Sequence, residues 1–490
     1  MNNILVLMPN NLGDVIMTIP VLEGIKADNK DSYISFLVES GFEAGLENLP
    51  FCDEIIAFPR KSIRDILNTV QWKEAVESVN SITGEIALTD FDRIINLCQH
   101  EYVSFLVLLM KGKAVSGRYF CREGTSVVED AWSQYLYAIP FSRKSNNLHA
   151  VDVYRRIAGV KTHSGRCTVN ISGQEKKSAA TALIGKGMDL SGKIMAFQCG
   201  AAFGSKVWPL EHFIALGKLL AKQGWQILVT GSPQEACRAY NMKKEIGRNC
   251  FTVAGETSFR QSMALCSLAQ GCVTGDTALM HSAAGSGVSV YALFGATNPV
   301  ETGPYGNGHW VFSAACKERP CFKTQCDNCI CMKSILPQTV FNCITDNNPG
   351  AYPGCDVYKT VLEKNCDYKL VPVTPNAFGY WNPSYTYLTR NAFEAEYYCT
   401  GNHEDEFAAA EKETMDWLAV VDKMKIKLEN YLITKNTTAL KEFELIKISL
   451  SRFTGIGEFW AAILNIRLNG ISLIDPHSGI EKSLDSCKAI

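Results

Sequence analysis

The 490-residue, 54.1 kDa chain is 47% hydrophobic and 20% charged, with a formal net charge of −2. That length accommodates about three domains, or two large ones and an appendage, each able to bury a sizeable core. A balance this near neutrality excludes both the basic field of a nucleic-acid binder and a solvated acidic tail.

The chain opens on an apolar run, residues 4–8 (ILVLM), with no cationic segment before it, as expected of a buried strand rather than a secretory leader. Short apolar runs at residues 33–38, 54–58, 93–98 and 114–116 predict further strands, while residues 15–26 and 63–79 carry apolar side chains at helical spacing. The apolar stretch 102–110 falls far short of a membrane span, which needs ~20 residues. A helix is predicted over 148–159 and a polar linker over 172–193. A second alternating set follows, with strands at 194–198, 226–230, 250–253, 271–274 and 288–294 and helices at 211–222, 234–247, 259–269 and 279–285. Such alternation builds right-handed strand–helix–strand units on parallel sheets, and each half binds ligands at the carboxyl ends of its strands. The expected organisation is a first domain over 1–172, a second over 190–345 and a mainly helical extension over 346–490, with helical patterns at 391–432 and 439–468.

Three segments at predicted strand ends carry chemistry. Asn11-Leu12-Gly13-Asp14 follows the first strand. Gly13 permits close approach to a ligand, and Asp14 stands where the helix begins, either as an N-cap for orphan amides or as a general base facing the cleft. A dinucleotide fingerprint G-x-G-x-x-G is missing there. The second segment, Cys199-Gly200-Ala201-Ala202-Phe203-Gly204-Ser205-Lys206, offers backbone amides and a point charge to a diphosphate, or is a flexible loop with a solvated lysine. In the third, the Thr277 and Ala278 amides sit at the positive end of a helix, Asp276 orients the loop, and His281 one turn in is either a core histidine or part of the site. Glu235, after the neighbouring strand, suits a ribose hydroxyl or simply the helix dipole.

Taken in order, Leu12-Gly13-Asp14-Val15 with Thr18 and Pro20, Gly200-Ala201 with Lys206 and Trp208-Pro209, residues 254–258 (AGETS), Asp276-Thr277 with Met280-His281, and residues 293–299 (LFGATNP) resemble the heptosyltransferase family of bacterial glycosyltransferases, glycosyltransferase family 9. The resemblance covers residues 1–341. It implies an α/β GT-B fold, two facing Rossmann-like doubly wound domains with the nucleotide-sugar held mainly by the second. It also implies inverting transfer of a sugar, heptose from ADP-heptose, to a hydroxyl of lipopolysaccharide core or another glycan, lipid-linked or protein acceptor. The family's general base falls on Asp14. Its diphosphate contacts fall on Lys206, Asp276, Thr277 and the Ala201 and Ala202 amides, its ribose contact on Glu235, and Gly13, Gly200, Ala278 and His281 belong to the same donor site. The family pattern has glycine where Ala278 stands, and alanine supplies the same amide while adding a methyl near the phosphate.

Such chemistry needs a carboxylate to take the acceptor proton and positive groups to stabilise the departing ADP, and no metal. Asp90-Phe91-Asp92 is accordingly expected to be a turn, at the wrong end of its strand for diphosphate. Most of the 19 cysteines lie singly in apolar segments, as Cys98, Cys250 and Cys272 do, which fits reduced thiols and a cytoplasmic protein, peripheral to the inner membrane at most. Cys316, Cys321, Cys326, Cys329 and Cys331 form a cluster that either holds a structural zinc or iron or carries free or disulfide-linked thiols. The family pattern selects Cys316, Cys321, Cys326 and Cys331 as ligands, with Cys329 as the alternative. The tail beyond residue 346 reads as an accessory or oligomer-forming domain, or as an acceptor platform. Two other functions fit the same architecture: a nucleotide-sugar epimerase, and a silent protein that binds sugar nucleotide or an assembly partner.

Overall fold

The run ILVLM is buried on both faces because it forms the middle of a parallel sheet. The computed structural model describes residues 2–374, apart from residues 70, 142, 162–163, 317, 325, 327–329, 352–353 and 364–366, together with Lys423 and Ile426. In the first lobe, β1 (Asn2–Met8), β2 (Ser32–Glu39), β3 (Glu54–Phe58), β4 (Asp90–Asn96) and β5 (Lys111–Ser116) pair in the order β3-β2-β1-β4-β5, all parallel. The register sets Ile4 beside both Ile34 and Arg93. The order reverses between β1 and β4, the place where a doubly wound sheet opens a crevice for ligands.

Helix α1 (Leu12–Asp28) leaves β1. The segment expected as one helix over 63–79 is two, α2 (Arg60–Asn68) and α3 (Trp72–Ile86). The first ends where the Thr69 amide and hydroxyl both turn back to the Ile66 carbonyl, at 3.0 and 2.7 Å. Helix α4 (Glu101–Leu108), a small hairpin of β6 (Tyr119–Phe120) and β7 (Ser126–Val127), α5 (Ala131–Ala138) and α6 (Ala150–Ala158) complete the lobe. Arg93 pins α6 to the sheet by donating to the Ala158 and Ile157 carbonyls at 2.7 and 3.0 Å.

Residues 172–193 are not a linker throughout. They contain α7 (Gly173–Gly185), started by a capping box in which the Glu175 amide donates to Ser172 Oγ and the Ser172 amide to Glu175. Only Ala179 and Leu183 of this helix are buried, so its apolar stripe is too thin to read from the sequence.

The second lobe contains β8 (Lys193–Gln198), α8 (Leu210–Lys222), β9 (Trp225–Thr230), α9 (Ala236–Ile246), β10 (Cys250–Thr252), α10 (Phe259–Cys266), β11 (Gly271–Gly275), α11 (Ala278–Gly285), β12 (Ser289–Phe294), α12 (Pro299–Thr302), β13 (Trp310–Ala314), α13 (Ile330–Ser334) and α14 (Pro337–Thr345). Its sheet runs β10-β9-β8-β11-β12-β13 in parallel, with the order reversing between β8 and β11. Asp90 and Asp92, expected in a turn, begin β4 instead. Asp92 sits at the strand's amino end and accepts from the Asn3 amide at 2.9 Å and Lys113 at 2.6 Å.

The region expected to be a mainly helical extension begins with strands. β14 (Cys355–Leu362) pairs antiparallel with β13, and β15 (Tyr368–Pro372) pairs antiparallel with β14. The helical patterns at 391–432 and 439–468 lie outside the described residues, apart from Lys423 and Ile426. Among the described residues no helix is long and apolar enough to cross a membrane.

The β14–β15 connection returns to the first lobe. Asp367 accepts from Arg155 at 3.1 Å and from Arg156 at 2.9 and 3.0 Å, while Asp152 accepts from Tyr305 Oη at 2.6 Å and from the Tyr368 amide at 2.9 Å. Asp152, Arg155 and Asp367 are almost fully buried. Removing one partner of such a network strands the others without solvent. Asp367→Ala is therefore expected to cost about 3–5 kcal/mol, read as a lowered urea midpoint. Ser172→Ala, which removes only a helix cap, costs about 1 kcal/mol.

Candidate active site

Strand β1 delivers the chain into the crevice at Pro9, and the helix N-cap position falls on Asn11, whose side chain caps no amide. Asp14 is thus inside the first turn of α1, not at the cap. Its carboxylate accepts from Asn10 Nδ2 at 3.0 Å and also from the Asn11 side chain. A carboxylate at a helix N-terminus is ordinarily favoured in its charged form. Here burial deep in the cleft, then the negative charges of Asp276 and Glu301, raise its pKa to about 7, against the opposing pull of Lys206 and Asn11. Some solvent contact remains at the mouth.

Helix α1 packs on α11 across the lobes at Gly13, where a Cβ would stand 3.4 Å from His281 Cδ2, an ordinary van der Waals contact.

In the second lobe, the loop after β8 ends in a single 3-10 turn, Gly204–Lys206, and the loop after β11 ends at Thr277, the N-cap of α11. These two loops flank the reversal in strand order. Lys206 Nζ meets Asp276 Oδ2 at 2.8 Å. Burial would push the Asp276 carboxyl up, but the charge and the hydrogen bond of Lys206 hold it below the usual carboxylate range. The first intrahelical closure is Met280 N to Thr277 O, so the Ala278 and Leu279 amides point out of the helix start. His281 is buried, which lowers its pKa to about 4 against the pull of Asp276, so its ring is neutral. Ala202 and Phe203 are exposed and Ala201 is half-buried, so this loop after β8 is open to solvent.

Glu235 holds its own loop. Its carboxylate accepts from the Ser232 amide at 2.7 Å in a capping box and from Gln198 at 3.4 Å. It also fills the space beside Gly200, where a Cβ would collide with it. Gly200 is therefore needed to let Glu235 lie against the loop.

Cys316, Cys321 and Cys326 are half-buried and Cys331 is buried. Among the described residues no three His, Cys, Asp or Glu side chains gather closely enough to hold a metal ion, and Cys329 lies outside the described residues.

Several cleft residues were not foreseen. Glu301, buried in the first turn of α12, accepts from Asn146 Nδ2 at 3.1 Å and lies 3.5 Å from Arg143. His149 Nε2 donates to the Gly303 carbonyl at 3.0 Å, and the ring packs against Tyr305 and Tyr368. The signal for Glu301 was present: Asn298-Pro299 is a helix start after a strand, the same grammar as the other loops, and Asn298 does accept from the Val300 amide.

The sequence model of glycosyltransferase family 9 (heptosyltransferase) matches residues 80–330, about half of the chain. The chain belongs to that family. Lipopolysaccharide heptosyltransferase 2 of Salmonella typhimurium is 34% identical over 118 residues, 23% of this chain and 33% of the relative. Lipopolysaccharide heptosyltransferase 1 of Pseudomonas aeruginosa is 25% identical over 330 residues, 66% of this chain and 87% of the relative. The chain spans about a third of the length of the first curated relatives it matches. Among solved structures, a family 9 glycosyl transferase from Veillonella parvula aligns with a TM-score of 0.60 at 21% identity, covering 70% of this chain and 96% of that one. E. coli heptosyltransferase WaaC with ADP-2-deoxy-2-fluoro heptose aligns with a TM-score of 0.53 at 17% identity, covering 70% and 99%. The two facing doubly wound lobes of this family 9 member are therefore a GT-B fold, as its motifs implied.

The Asp14 carboxyl has a pH signature independent of any activity. With its pKa raised on folding, it contributes stability in full below its unfolded value near 4 and loses that contribution as pH rises through about 7. Asp14→Asn cannot titrate there. Its melting temperature relative to wild type is expected to climb between pH 4 and pH 7 and to stay level on either side.

Proposed function

We propose that the chain is an inverting glycosyltransferase that moves heptose from ADP-heptose to a hydroxyl of the lipopolysaccharide core. The observation that carries this reading is the confrontation across one crevice of a first-lobe carboxylate with pKa about 7 and a second-lobe lysine held by Asp276. A general base works best when its proton affinity lies near the working pH. The family membership and the relatives named as lipopolysaccharide heptosyltransferases support the donor and acceptor classes.

The acceptor oxygen attacks the anomeric carbon as the bond from that carbon to the β-phosphate oxygen breaks. Asp14 takes the hydroxyl proton, and ADP leaves with the bonding electrons. One in-line displacement inverts the anomeric centre. Lys206 and the amides of Ala278 and Leu279 face the growing charge on the diphosphate, and such pre-aimed donors act most strongly where water is excluded. Asp276 holds the lysine in place, so the ammonium is aimed before the donor arrives. Ala201 and Ala202 supply further amides from the loop after β8.

Transfer from ADP-heptose to a lipopolysaccharide-core acceptor is expected to fall at least ~10³-fold in Asp14→Asn, with donor-induced stabilisation retained. Lys206→Ala is expected to weaken both donor stabilisation and turnover. Persistent transfer by Asp14→Asn, or the lack of any stabilisation by ADP-heptose in wild type, would refute the reading.

A further inference from the structure

The loops that leave β1 and β4 flank the reversal in the first sheet, and side chains tie them together at two successive residues. Tyr102, in the first turn of α4, donates its hydroxyl to the Pro9 carbonyl at 2.6 Å. His100, the N-cap residue of α4, brings Nε2 to 3.0 Å from Asn10 Oδ1. Asn10 Nδ2 in turn donates to Asp14 Oδ2 at 3.0 Å. The His100 ring lies on Tyr102, 5.9 Å between centroids, and Tyr102 lies on Phe58 at 6.0 Å. Contact distances thus run unbroken from the start of α4 to the Asp14 carboxylate.

Chemistry gives that chain of bonds a direction. An asparagine amide has a donor end and an acceptor end, whereas an ionised carboxylate only accepts. The nitrogen of Asn10 must therefore face Asp14, and its oxygen must face His100. That oxygen cannot donate, so His100 Nε2 carries the hydrogen and the bonds run from His100 through Asn10 to Asp14. Were the amide turned over, its oxygen would stand against the carboxylate; the donor at His100 opposes that turn. Asp14 needs such a guide. It is the third residue of α1, where a carboxylate can fold back onto the free amides of the helix start, and Asn11 offers those amides no side-chain bond. Bonded to Asn10, the carboxylate still has lone pairs for an incoming hydroxyl. His100 is exposed, while Asn10 and Asp14 are half-buried. A histidine nitrogen in reach of water needs no protein partner to be satisfied, so burial does not explain its bond to Asn10.

We propose that Asn10 and His100 are positioning residues for the transfer reaction: His100 fixes which way the Asn10 amide faces, and Asn10 aims the Asp14 carboxylate at the acceptor hydroxyl. The proposal rests on the reading of Asp14 as general base. It adds that the base is aimed from within the first lobe, before either substrate arrives. A base oriented by a third group is a recurring arrangement where a hydroxyl must be activated.

The test separates aim from scaffolding. His100→Phe keeps the ring on Tyr102 and removes the donor; it is expected to lower kcat about tenfold, with the KM for ADP-heptose and the melting temperature unchanged. His100→Gln, whose amide can donate from a similar place, should restore most of the rate. Asn10→Ala is expected to lower kcat roughly 10–100-fold. Adding His100→Phe to Asn10→Ala should cost nothing further, because His100 acts through Asn10. A second readout needs no turnover. In the full-length chain with isotopically labelled asparagine nitrogens, the Asn10 side-chain amide signal, assigned by its loss in Asn10→Ala, should shift in both His100→Phe and Asp14→Asn. Asn10→Gln serves for the assignment and the cycle should Asn10→Ala fold poorly. Additive rate losses, or an amide signal that His100→Phe leaves in place, would overturn the proposal. Transfer that persists in Asp14→Asn would instead sink the reading of Asp14 as base, so the two failures are told apart.

Discussion

The ion pair between Lys206 and Asp276 organises the cleft. It ties together the two loops that leave the second sheet on either side of its reversal, β8 and β11, at 2.8 Å. Because Asp276 stays ionised, the lysine has a fixed direction, and the start of α11 is presented with its amides outward. The same carboxylate shares its surroundings with a His281 that burial keeps neutral. A neutral ring can pack against Gly13 without bringing a second cation into the crevice, and that contact brings α1, and with it Asp14, to the facing wall. Loosening the pair would disturb each later step of this sequence.

The site is held against its own electrostatics. Asp14, Asp276 and Glu301 bring three carboxyl groups into one crevice, with Lys206 paired to Asp276 and Arg143 beside Glu301. Such an arrangement favours separation of the lobes unless other contacts oppose it. Those contacts lie behind and beside the crevice. Asp367 binds Arg155 and Arg156, and Arg260 of the second lobe donates to the Gly45 and Asn170 carbonyls and to Glu175. Buried networks of this kind are poor evidence for net stability, yet they fix one geometry because any partial break leaves an unpaired charge.

Much of this was legible in the sequence. Strands β1, β8, β9, β11 and β12 are short, mainly apolar runs, and the segments that leave β1, β8 and β11 carry Asp14, Lys206 and Asp276, so the crevice could be inferred before it was seen. Whether Asp14 caps its helix could not be read, because a carboxylate near a helix start suits the cap position, and only the placement of Asn11 there excludes it. Helix α7 was hidden because a capping box starts it while two buried side chains hold it. Strands β14 and β15 were hidden because CDVYKTVL mixes polar and apolar residues, and its partner β13 starts 45 residues earlier. The helix start that carries Glu301 was legible in Asn298-Pro299, but its contacts with Arg143 and Asn146 were not, since they span 158 and 155 positions. Spacing along a chain reports local structure well and lobe-to-lobe juxtaposition hardly at all.

The β14–β15 connection changes the mechanics of the whole molecule. The polypeptide passes from the first lobe to the second through α7, and at Asp367 and Tyr368 the second lobe reaches back to grasp α6. Two bodies joined by one strand of chain can swing in any direction. Joined at these two points, and held as well by the contacts of Arg260 with Gly45 and of Asn146 with Glu301, the lobes are fixed at one spacing, and the carboxylate at the edge of the crevice is fixed with them.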